Sequence, residues 1–248
     1  MIEITILGCG SSTGVPVIGC DCHVCKSDNP HNKRARSSIL IKSKNTTILV
    51  DCGFDIRYQL LSQNVKNIDA VILTHCHADH IMGLDHLRIF ATRQNKPIPV
   101  YTDVTTIVSC THMFAYMIIL NQVEFHKVNM YDKRYINDIE IQFFKQIHAE
   151  VDSLGLRIKD FIYANDVGDF PKNSEQFLYN ASDLVVDCKE YEDTKIHAGL
   201  SSVMKWYEKY KPKNVYMTNL SHKMEYETLN KETPQNFLPC YDGLKINI

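Results

Sequence analysis

The stretch Thr74-His75-Cys76-His77-Ala78-Asp79-His80 decides the fold of this 248-residue chain. It follows the apolar run Ala70-Val71-Ile72-Leu73, which is typical of a buried strand. Three imidazoles and a carboxylate packed this densely have no role in core packing. Neutral imidazole and carboxylate are ligands of Zn, Mn or Fe. The stretch therefore predicts a metal site in the loop after a strand, and the carboxylate indicates more than one ion.

The bulk composition is typical of a soluble globular protein. Apolar residues make up 44% of the chain and charged residues 23%, which is enough for a sizeable core. The net charge of −2 supplies no field that would gather nucleic acid or an anionic membrane. No apolar run approaches the roughly 18 residues of a membrane span, and Met1–Leu7 alternates like a strand rather than a signal peptide. We expect a cytoplasmic protein with no membrane partner.

Cysteine usage points to a reducing compartment and to a second metal site. The chain has nine cysteines, an odd number without an export signal, which disfavours a disulfide framework. Cys20, Cys22 and Cys25 offer three thiolates close together. A closed tetrahedral zinc site needs a fourth ligand, and His23 and His31 are the local candidates. The alternative is three unligated thiols in a loop.

Strand-like segments recur along the whole chain, with helical patterns between them. Strands are predicted at Ile2–Leu7, Ser38–Lys42, Thr47–Asp51, Ala70–Leu73, Pro99–Tyr101, Ile139–Phe144, Leu154–Ile158, Phe161–Tyr163, Leu184–Asp187, Val215–Met217 and Leu244–Ile248. Helices are predicted over Asp55–Gln63, over Thr105–Leu120 and from Leu200 onward. No repeat, low-complexity tract or flexible linker interrupts the chain. A single domain over residues 1–248, of the α/β or α+β class, is therefore predicted.

Four further ligand-type residues lie where a predicted strand gives way to a loop. They are Asp51, His148, Asp166 and Asp187. Residues at strand ends converge on one rim of a sheet sandwich, so a shared site is geometrically reasonable. Taken singly, each aspartate is equally well interpreted as a helix cap or turn residue.

The His-x-His-x-Asp-His motif after a strand resembles the metal-binding signature of the metallo-β-lactamase superfamily. The opening Gly8–Pro16, the Cys20-x-Cys22-x-x-Cys25 spacing and the segment Arg34-x-Arg36 resemble the branch that includes phosphoribosyl 1,2-cyclic phosphate phosphodiesterases. Ribonuclease Z is more distantly similar. The resemblance runs from Met1 to Ile248 and implies a four-layered αβ/βα sandwich.

The resemblance also implies a role for each site residue. One metal would be held by His75, His77 and His148, a second by Asp79 and His80, and Asp166 would bridge the two. His197 would donate a proton or bind phosphate, and His222 would be the fourth ligand of a structural zinc. We interpret Asp51 and Asp187 as residues that orient the ligand imidazoles.

One position departs from the pattern of the related phosphodiesterases. There, a histidine late in the chain completes the second metal site, whereas this chain has Asn219. An amide oxygen is a weak ligand for a transition metal and favours harder ions such as Mn. We therefore expect a looser second site and activity that rises with added Mn.

The expected activity is that of a dinuclear metal phosphodiesterase acting on a small cyclic phosphate or nucleotide-like diester. It would use two active-site divalent ions, Mn or Zn, and one structural zinc. The alternatives are a thioester or lactam hydrolase, a transfer-RNA 3′ processing nuclease and a zinc-stapled binding module without activity. The pair Asp79 and Asp166 favours the phosphodiesterase over a β-lactamase, and no basic arm for transfer RNA is present.

The role of one basic stretch and the oligomeric state both leave alternatives open. The basic stretch Lys33-Arg34-Ala35-Arg36 is interpreted either as a contact to a substrate phosphate or as a solvated loop. A homodimer is compatible with the chain.

Overall fold

A computed structural model describes residues 1–248. Fourteen strands form two seven-stranded sheets. In chain order, the strands of the first sheet are β1 (Glu3–Gly8), β2 (Ser38–Lys42), β3 (Thr47–Val50), β4 (Ala70–Ile72), β5 (Ile98–Thr102), β6 (Val123–Lys127) and β14 (Lys245–Asn247). Those of the second sheet are β7 (Lys133–Ile136), β8 (Ile139–His148), β9 (Val151–Ile158), β10 (Phe161–Ala164), β11 (Asp183–Asp187), β12 (Asn214–Thr218) and β13 (Phe237–Pro239).

Nine α-helices connect and cover these strands. They are α1 (His23–Lys26), α2 (Ile56–Ser62), α3 (Ala78–Ile81), α4 (Arg88–Gln94), α5 (Val104–Met113), α6 (Ala115–Ile119), α7 (Lys172–Glu175), α8 (Leu200–Tyr210) and α9 (Tyr226–Glu232). Short 3₁₀ turns lie at Pro30–Asn32 and Leu84–Leu87. None of the helices has the length and apolar character that a membrane span requires.

Both sheets are mixed, and their order places parallel strands next to each other. The first sheet has the order β14-β1-β2-β3-β4-β5-β6, and β3 to β6 are parallel. The second has the order β13-β12-β11-β10-β9-β8-β7, and β10 to β13 are parallel. Since β9 is antiparallel to both of its neighbours, β8 runs in the same direction as β10. The carboxyl ends of four strands of the first sheet (β3 to β6) and of five strands of the second (β8 and β10 to β13) therefore lie at one rim of the molecule.

Three buried clusters separate four layers. The inner cluster fills the space between the sheets, with Ile4 and Ile39 from the first sheet against Phe143 and Phe161 from the second. A second cluster packs helices α2, α4 and α5 on the outer face of the first sheet, and a third packs α8 on the outer face of the second. The predicted four-layered sandwich of helices and sheets is confirmed.

The differences from the sequence prediction lie mainly at the edges. Strands β6, β7 and β13 were not predicted, and each is an edge strand of its sheet. The charged residues of β6 and β7 weaken their apolar pattern. Strand β13 is apolar but only three residues long and ends in a proline, so no alternation can be recognised. The predicted helix Thr105–Leu120 is two helices, α5 and α6, because buried Phe114 leaves the helical conformation (φ −121°, ψ 31°).

Within the basic stretch Lys33–Arg36, Lys33 is exposed, as the solvated-loop interpretation expects, whereas Arg34 fits neither interpretation. Arg34 is only 2% exposed. Its guanidinium donates to the carbonyls of His31, Ser221 and Met224 and to the side-chain oxygen of Asn32, at 2.7–3.1 Å. These hydrogen bonds join the N-terminal loop to the loop after β12. Arg34 is therefore a buried structural residue, neither solvated nor available to a substrate.

Candidate metal centre

The site is built from residues at or just after strand ends. His148 and Asp187 are the last residues of β8 and β11, and the histidine-rich loop follows β4. Asp51, Asp166 and Asn219 follow β3, β10 and β12 in the left-handed conformation, with φ of 59°, 52° and 59°. Aspartate and asparagine tolerate this conformation better than most residues. The chain thus turns at these points and directs polar side chains to the common rim.

The histidine-rich loop is held by close backbone contacts. The Cys52 amide donates to the carbonyl of His80 at 2.7 Å, and the Gly83 amide donates to the carbonyl of Cys52 at 2.8 Å. A Cβ at Gly53 would lie 1.8 Å from the carbonyl oxygen of Asp79. Only glycine permits this approach of the two backbones. Helix α3 therefore begins where His77, Asp79 and His80 can face the site.

Three imidazoles meet at one point. His75 Nε2 lies 2.9 Å from His77 Nδ1, and His148 Nε2 lies 3.2 Å from the same nitrogen. The Thr74 hydroxyl donates to the carboxylate of Asp51, so it accepts its 3.0 Å hydrogen bond from His75 Nδ1. His148 Nδ1 likewise donates to the Ile196 carbonyl at 2.8 Å. The inward nitrogens of His75 and His148 are therefore lone-pair donors.

A second group of donors lies beside the first. His80 Nε2 is 2.9 Å from Asp166 Oδ2 and 3.3 Å from Asp79 Oδ2, while its Nδ1 bonds Asp51 Oδ2 at 2.8 Å. Asp166 Oδ1 is 3.9 Å from His148 Nε2. One carboxylate thus touches both donor groups, in the position that a shared ligand requires.

The two groups differ in charge. Burial, together with the neighbouring charge of His80, lowers the pKa of His75 well below its ordinary value. Burial also opposes the charge of His80, but Asp51 and Asp166 outweigh it and raise the pKa of His80 well above its ordinary value. Burial would raise the pKa of Asp166, yet the charge of His80 holds it well below the usual range. Neutral His75 suits a metal ligand, and the anionic Asp166 supplies the charge that cations need.

The donor set fits divalent ions. Adjacent nitrogens on one zinc lie about 3.3 Å apart when the bonds are about 2.0–2.1 Å long and tetrahedral. The separations of 2.9 and 3.2 Å around His77 are close to that value. His77 Nδ1 can donate a proton to one of these nitrogens, and without that proton the three lone pairs surround a position for a cation. The Nε2 proton of His80, between two carboxylates, marks where a second cation would be stabilised.

His197 lies at the side of these donors and is held by Asp187. Its Nδ1 is 2.7 Å from Asp187 Oδ2 and 3.5 Å from Asp166 Oδ1. Burial would lower the pKa of His197, but the hydrogen bond and charge of Asp187 raise it. Burial raises the pKa of Asp187 to about 6. The second nitrogen of His197, Nε2, has no protein partner and is available to a substrate.

Asn219 reaches the same place with its amide nitrogen. Nδ2 lies 3.2 Å from Asp166 Oδ1 and 3.1 Å from Asp187 Oδ1. The sequence interpretation gave the ligand role to its oxygen, which is not the atom that faces the carboxylates.

The cysteine cluster, defined as Cys20, Cys22, Cys25 and His222, forms a second convergence of donors. The three sulfurs lie 3.2, 3.6 and 3.7 Å from His222 Nδ1. The corresponding edge of a tetrahedral zinc site is about 3.6 Å, from bonds of about 2.3 and 2.0 Å. The other local candidates, His23 and His31, are not part of this cluster. The amide of Cys25, more than any other group, lowers the pKa of Cys22 to about 6, which favours its thiolate at neutral pH.

A small cavity of about 180 Å³ borders His75. Its walls include the carboxylates of Asp103, Glu150 and Asp152 and the hydroxyls of Thr105 and Thr106. Lys145 pairs with Asp152 at 2.6 Å, so the uncompensated negative charge of this wall is that of Asp103 and Glu150. Such a wall suits a compact group rich in hydroxyls. A larger cavity, about 650 Å³, lies beside the N-terminal loop and includes none of the histidine and aspartate donors.

Two residues of the site were missed from the sequence. Thr74 connects Asp51 to His75, and Asn165 Nδ2 donates to Asp166 Oδ2 at 2.6 Å. Both directly precede a residue that was identified as a ligand. A hydroxyl or amide side chain next to a proposed ligand in sequence could have indicated these two residues. That pattern alone does not show whether the side chain faces the site.

The chain shares this arrangement with known proteins. The family model described as "Beta-lactamase superfamily domain" matches residues 46–218. The crystal structure of a diphosphatase from the PhnP family superposes with a TM-score of 0.94 and 33% identity, over 99% of this chain and 96% of that chain. Zn²⁺-bound PqqB from Methylobacterium extorquens has the same fold, with a TM-score of 0.84 and 17% identity over 99% of this chain and 100% of that chain.

Curated relatives match shorter segments. An octanoyltransferase from Porphyromonas gingivalis is 31% identical over 193 residues, which are 75% of this chain and 39% of that protein. A ribonuclease Z from Clostridioides difficile is 35% identical over 86 residues, which are 34% of this chain and 23% of that protein. The chain thus spans well under half the length of these relatives. The family match and the PhnP-family structure agree over most of the chain, and the chain therefore belongs to the β-lactamase superfamily and, within it, to the PhnP family.

Proposed function

We propose that the protein is a dinuclear metal-dependent phosphodiesterase that acts on a small cyclic phosphate or nucleotide-like diester. The observation that carries this proposal is the meeting of two donor groups at Asp166, with His197 and Asp187 at their side. The resemblance to a PhnP-family diphosphatase supports phosphoryl chemistry. We further propose that the cysteine cluster holds a structural zinc, because its four donors leave no open position.

The proposed ligands fall into two sets that share one residue. His75, His77 and His148 would hold one ion, Asp79 and His80 a second, and Asp166 both. When bound, two divalent ions supply Lewis acidity at the phosphoryl oxygens and lower the pKa of an attacking water. Mn and Zn both suit this mixture of imidazole and carboxylate.

His197 is the proposed general acid. Asp187 accepts the Nδ1 hydrogen of His197 at 2.7 Å and favours the protonated ring, so Nε2 carries a proton toward the substrate. The attacking water gives one proton to solvent as its oxygen bonds to phosphorus, and the leaving oxygen takes the His197 proton as the ester P–O bond breaks. An acid in this place contributes roughly 10²–10⁴-fold to such a reaction.

The size and charge of the neighbouring cavity set the proposed substrate class. A ribose or another small polyol can place its hydroxyls against Thr105, Thr106 and the three acidic side chains. A long nucleic acid would bring its phosphates against those carboxylates, so we do not favour a nucleic-acid substrate.

The experiment is hydrolysis of three diesters by the metal-loaded protein. Bis(p-nitrophenyl) phosphate, a 2′,3′-cyclic nucleotide and a dinucleoside diphosphate would be compared, each with added Mn or Zn. We expect turnover of at least one of them, lost on chelation and restored by metal. Turnover of a thioester or a β-lactam with none of the three diesters would overturn the proposal.

A further inference from the structure

Asn219 occupies a position between two carboxylates. It is 2% exposed and follows β12 directly. Its Nδ2 is within 3.2 Å of an oxygen of Asp166 and an oxygen of Asp187. A carboxylate oxygen accepts hydrogen bonds and donates none, so only the amide NH₂ can face both. The opposite orientation would bring the amide oxygen against two anionic oxygens and would be repulsive.

We propose that Asn219 is a positioning residue that aligns Asp187 and Asp166 for His197 and is not itself a metal ligand. This inference rests on the proposed function for its catalytic consequence. It departs from the sequence expectation of a weak amide-oxygen ligand, because the amide nitrogen makes the contacts to the two carboxylates.

The contacts of Asp187 explain how the alignment works. Its Oδ2 accepts from His197 Nδ1 at 2.7 Å and from the Val167 amide at 3.1 Å. Its Oδ1 has one hydrogen-bond donor, Asn219 Nδ2 at 3.1 Å. Asp187 is fully buried, so water cannot replace that donor. Without Asn219, the carboxylate of Asp187 loses the contact that fixes its rotation, and with it the orientation of the His197 ring.

Asp166 is constrained in the same way. Its Oδ2 is held by His80 and Asn165, at 2.9 and 2.6 Å, whereas Oδ1 accepts a hydrogen bond from Asn219 at 3.2 Å. The single NH₂ group also offsets repulsion between the two carboxylates that it joins. Asn219 therefore acts on both sides of His197, which approaches Asp166 Oδ1 to 3.5 Å.

The test compares Asn219→Ala and the isosteric Asn219→Asp with wild type. Asn214→Ala is the matched control, because Asn214 begins the same strand and bonds Asp183 outside the site. Metal content per chain is measured by mass spectrometry. Diester hydrolysis is measured with and without added Mn. The ¹⁵N shifts of the His197 imidazole, assigned by their absence in His197→Ala, report the hydrogen bond between Nδ1 and Asp187.

For both Asn219 variants we expect wild-type metal content and a kcat lower by roughly 10–100-fold, the usual effect of losing a residue that orients a site. KM should stay near the wild-type value, and added Mn should not restore the rate. The ¹⁵N shift of His197 Nδ1 should change, because its hydrogen bond to Asp187 is no longer held in place. The Asn214→Ala control should match wild type in all three measurements.

Two results would overturn the inference. The first is a loss of about one ion per chain in Asn219→Ala with the rate rescued by Mn, which is the behaviour of a ligand. The second is a ¹⁵N shift of His197 Nδ1 that is unchanged in both variants. If wild type hydrolyses no diester, the proposed function fails, yet the metal content and the His197 shifts still decide the role of Asn219.

Discussion

The cysteine cluster and the histidine–aspartate site are both convergences of metal-ligand side chains, but their surroundings differ. The cysteine cluster gathers four donors from helix α1 with the loop before it and from the loop after β12, and Val15 and Val24 pack around it. The histidine–aspartate site gathers more than four donors at strand ends and borders a cavity. A metal ion whose four coordination positions are all filled by protein stabilises the fold and cannot bind a substrate. A metal site next to a cavity can bind one.

The groups behind the ligands differ as well. Backbone amides of Val17 and Cys25 donate to the cysteine sulfurs at 3.3 and 3.5 Å. Behind the histidines lie the carboxylates of Asp51 and Asp187. Amides carry no charge and stabilise thiolates, while buried carboxylates make imidazoles more basic. The comparison therefore predicts that changes at one site alter stability and changes at the other alter activity.

The largest expected effect is that of Asp166→Ala. This change removes the carboxylate that touches both donor groups, so we expect activity to be abolished and active-site metal to be lost. The zinc of the cysteine cluster should remain, and metal analysis checks both statements. Asp160→Ala, at an exposed aspartate, is the control and should behave as wild type. Undiminished turnover in Asp166→Ala would show that the activity does not depend on this site.

His197→Ala tests whether the acid acts separately from the metals. We expect kcat to fall by roughly 10²–10⁴-fold with metal content preserved. Asp187→Asn should lower kcat less, by roughly 10–100-fold, because it acts through the orientation of His197. Steady-state rates with an exposed control, His112→Ala, measure both. Equal losses in the two variants would mean that Asp187 does more than orient the ring.

Cys22→Ser probes the other half of the comparison. Removing one thiolate should release the structural zinc and lower the melting temperature by at least about 5 °C, since structural zinc affinity is folding free energy. Among molecules that remain folded, kcat should stay within roughly twofold of wild type. Cys110→Ala, a buried thiol outside both sites, should keep the zinc. Full zinc content and an unchanged melting temperature in Cys22→Ser would contradict a structural role.

Asp242→Asn has the smallest expected effect and concerns the hydrogen bonds between Asp242 and the N-terminal part of the chain. Asp242 accepts the amides of Cys9 and Ala35 at 3.1 and 2.7 Å, and burial raises its pKa to about 6. The pKa of Asp242 in the folded state lies above its unfolded value of about 3.9, so the folded state keeps the proton up to a higher pH. The free energy of unfolding therefore falls as pH rises from about 4 through 6.

Wild type should therefore lose about 1.4 kcal/mol relative to Asp242→Asn between pH 5 and pH 7. Urea denaturation of both proteins at the two pH values measures this difference. A difference that is the same at both pH values would show that Asp242 does not titrate in this interval.

Much of the convergence of side chains at the site could be predicted because its proposed ligands are close together in the sequence. The motif from His75 to His80 follows the apolar run Ala70–Leu73, which by itself indicates a strand. The structure brings the residues of the motif together with His148 and Asp166. What could not be predicted depends on contacts between distant parts of the chain. Arg34 looked like a surface residue because only the fold brings the carbonyls of Ser221 and Met224 to it. The amide orientation of Asn219 likewise follows from two carboxylates on other strands.

The distance along the chain between the halves of the cysteine cluster has a consequence for synthesis. Cys25 and His222 are separated by 197 residues. At the usual 5–20 residues per second, the three cysteines are synthesised roughly 10–40 s before His222. The carbonyls of Ser221 and Met224, which accept hydrogen bonds from Arg34, are likewise synthesised late. During that interval the nascent chain exposes a reactive trio of thiols, so its yield should depend on how reducing the cell is at the moment of translation.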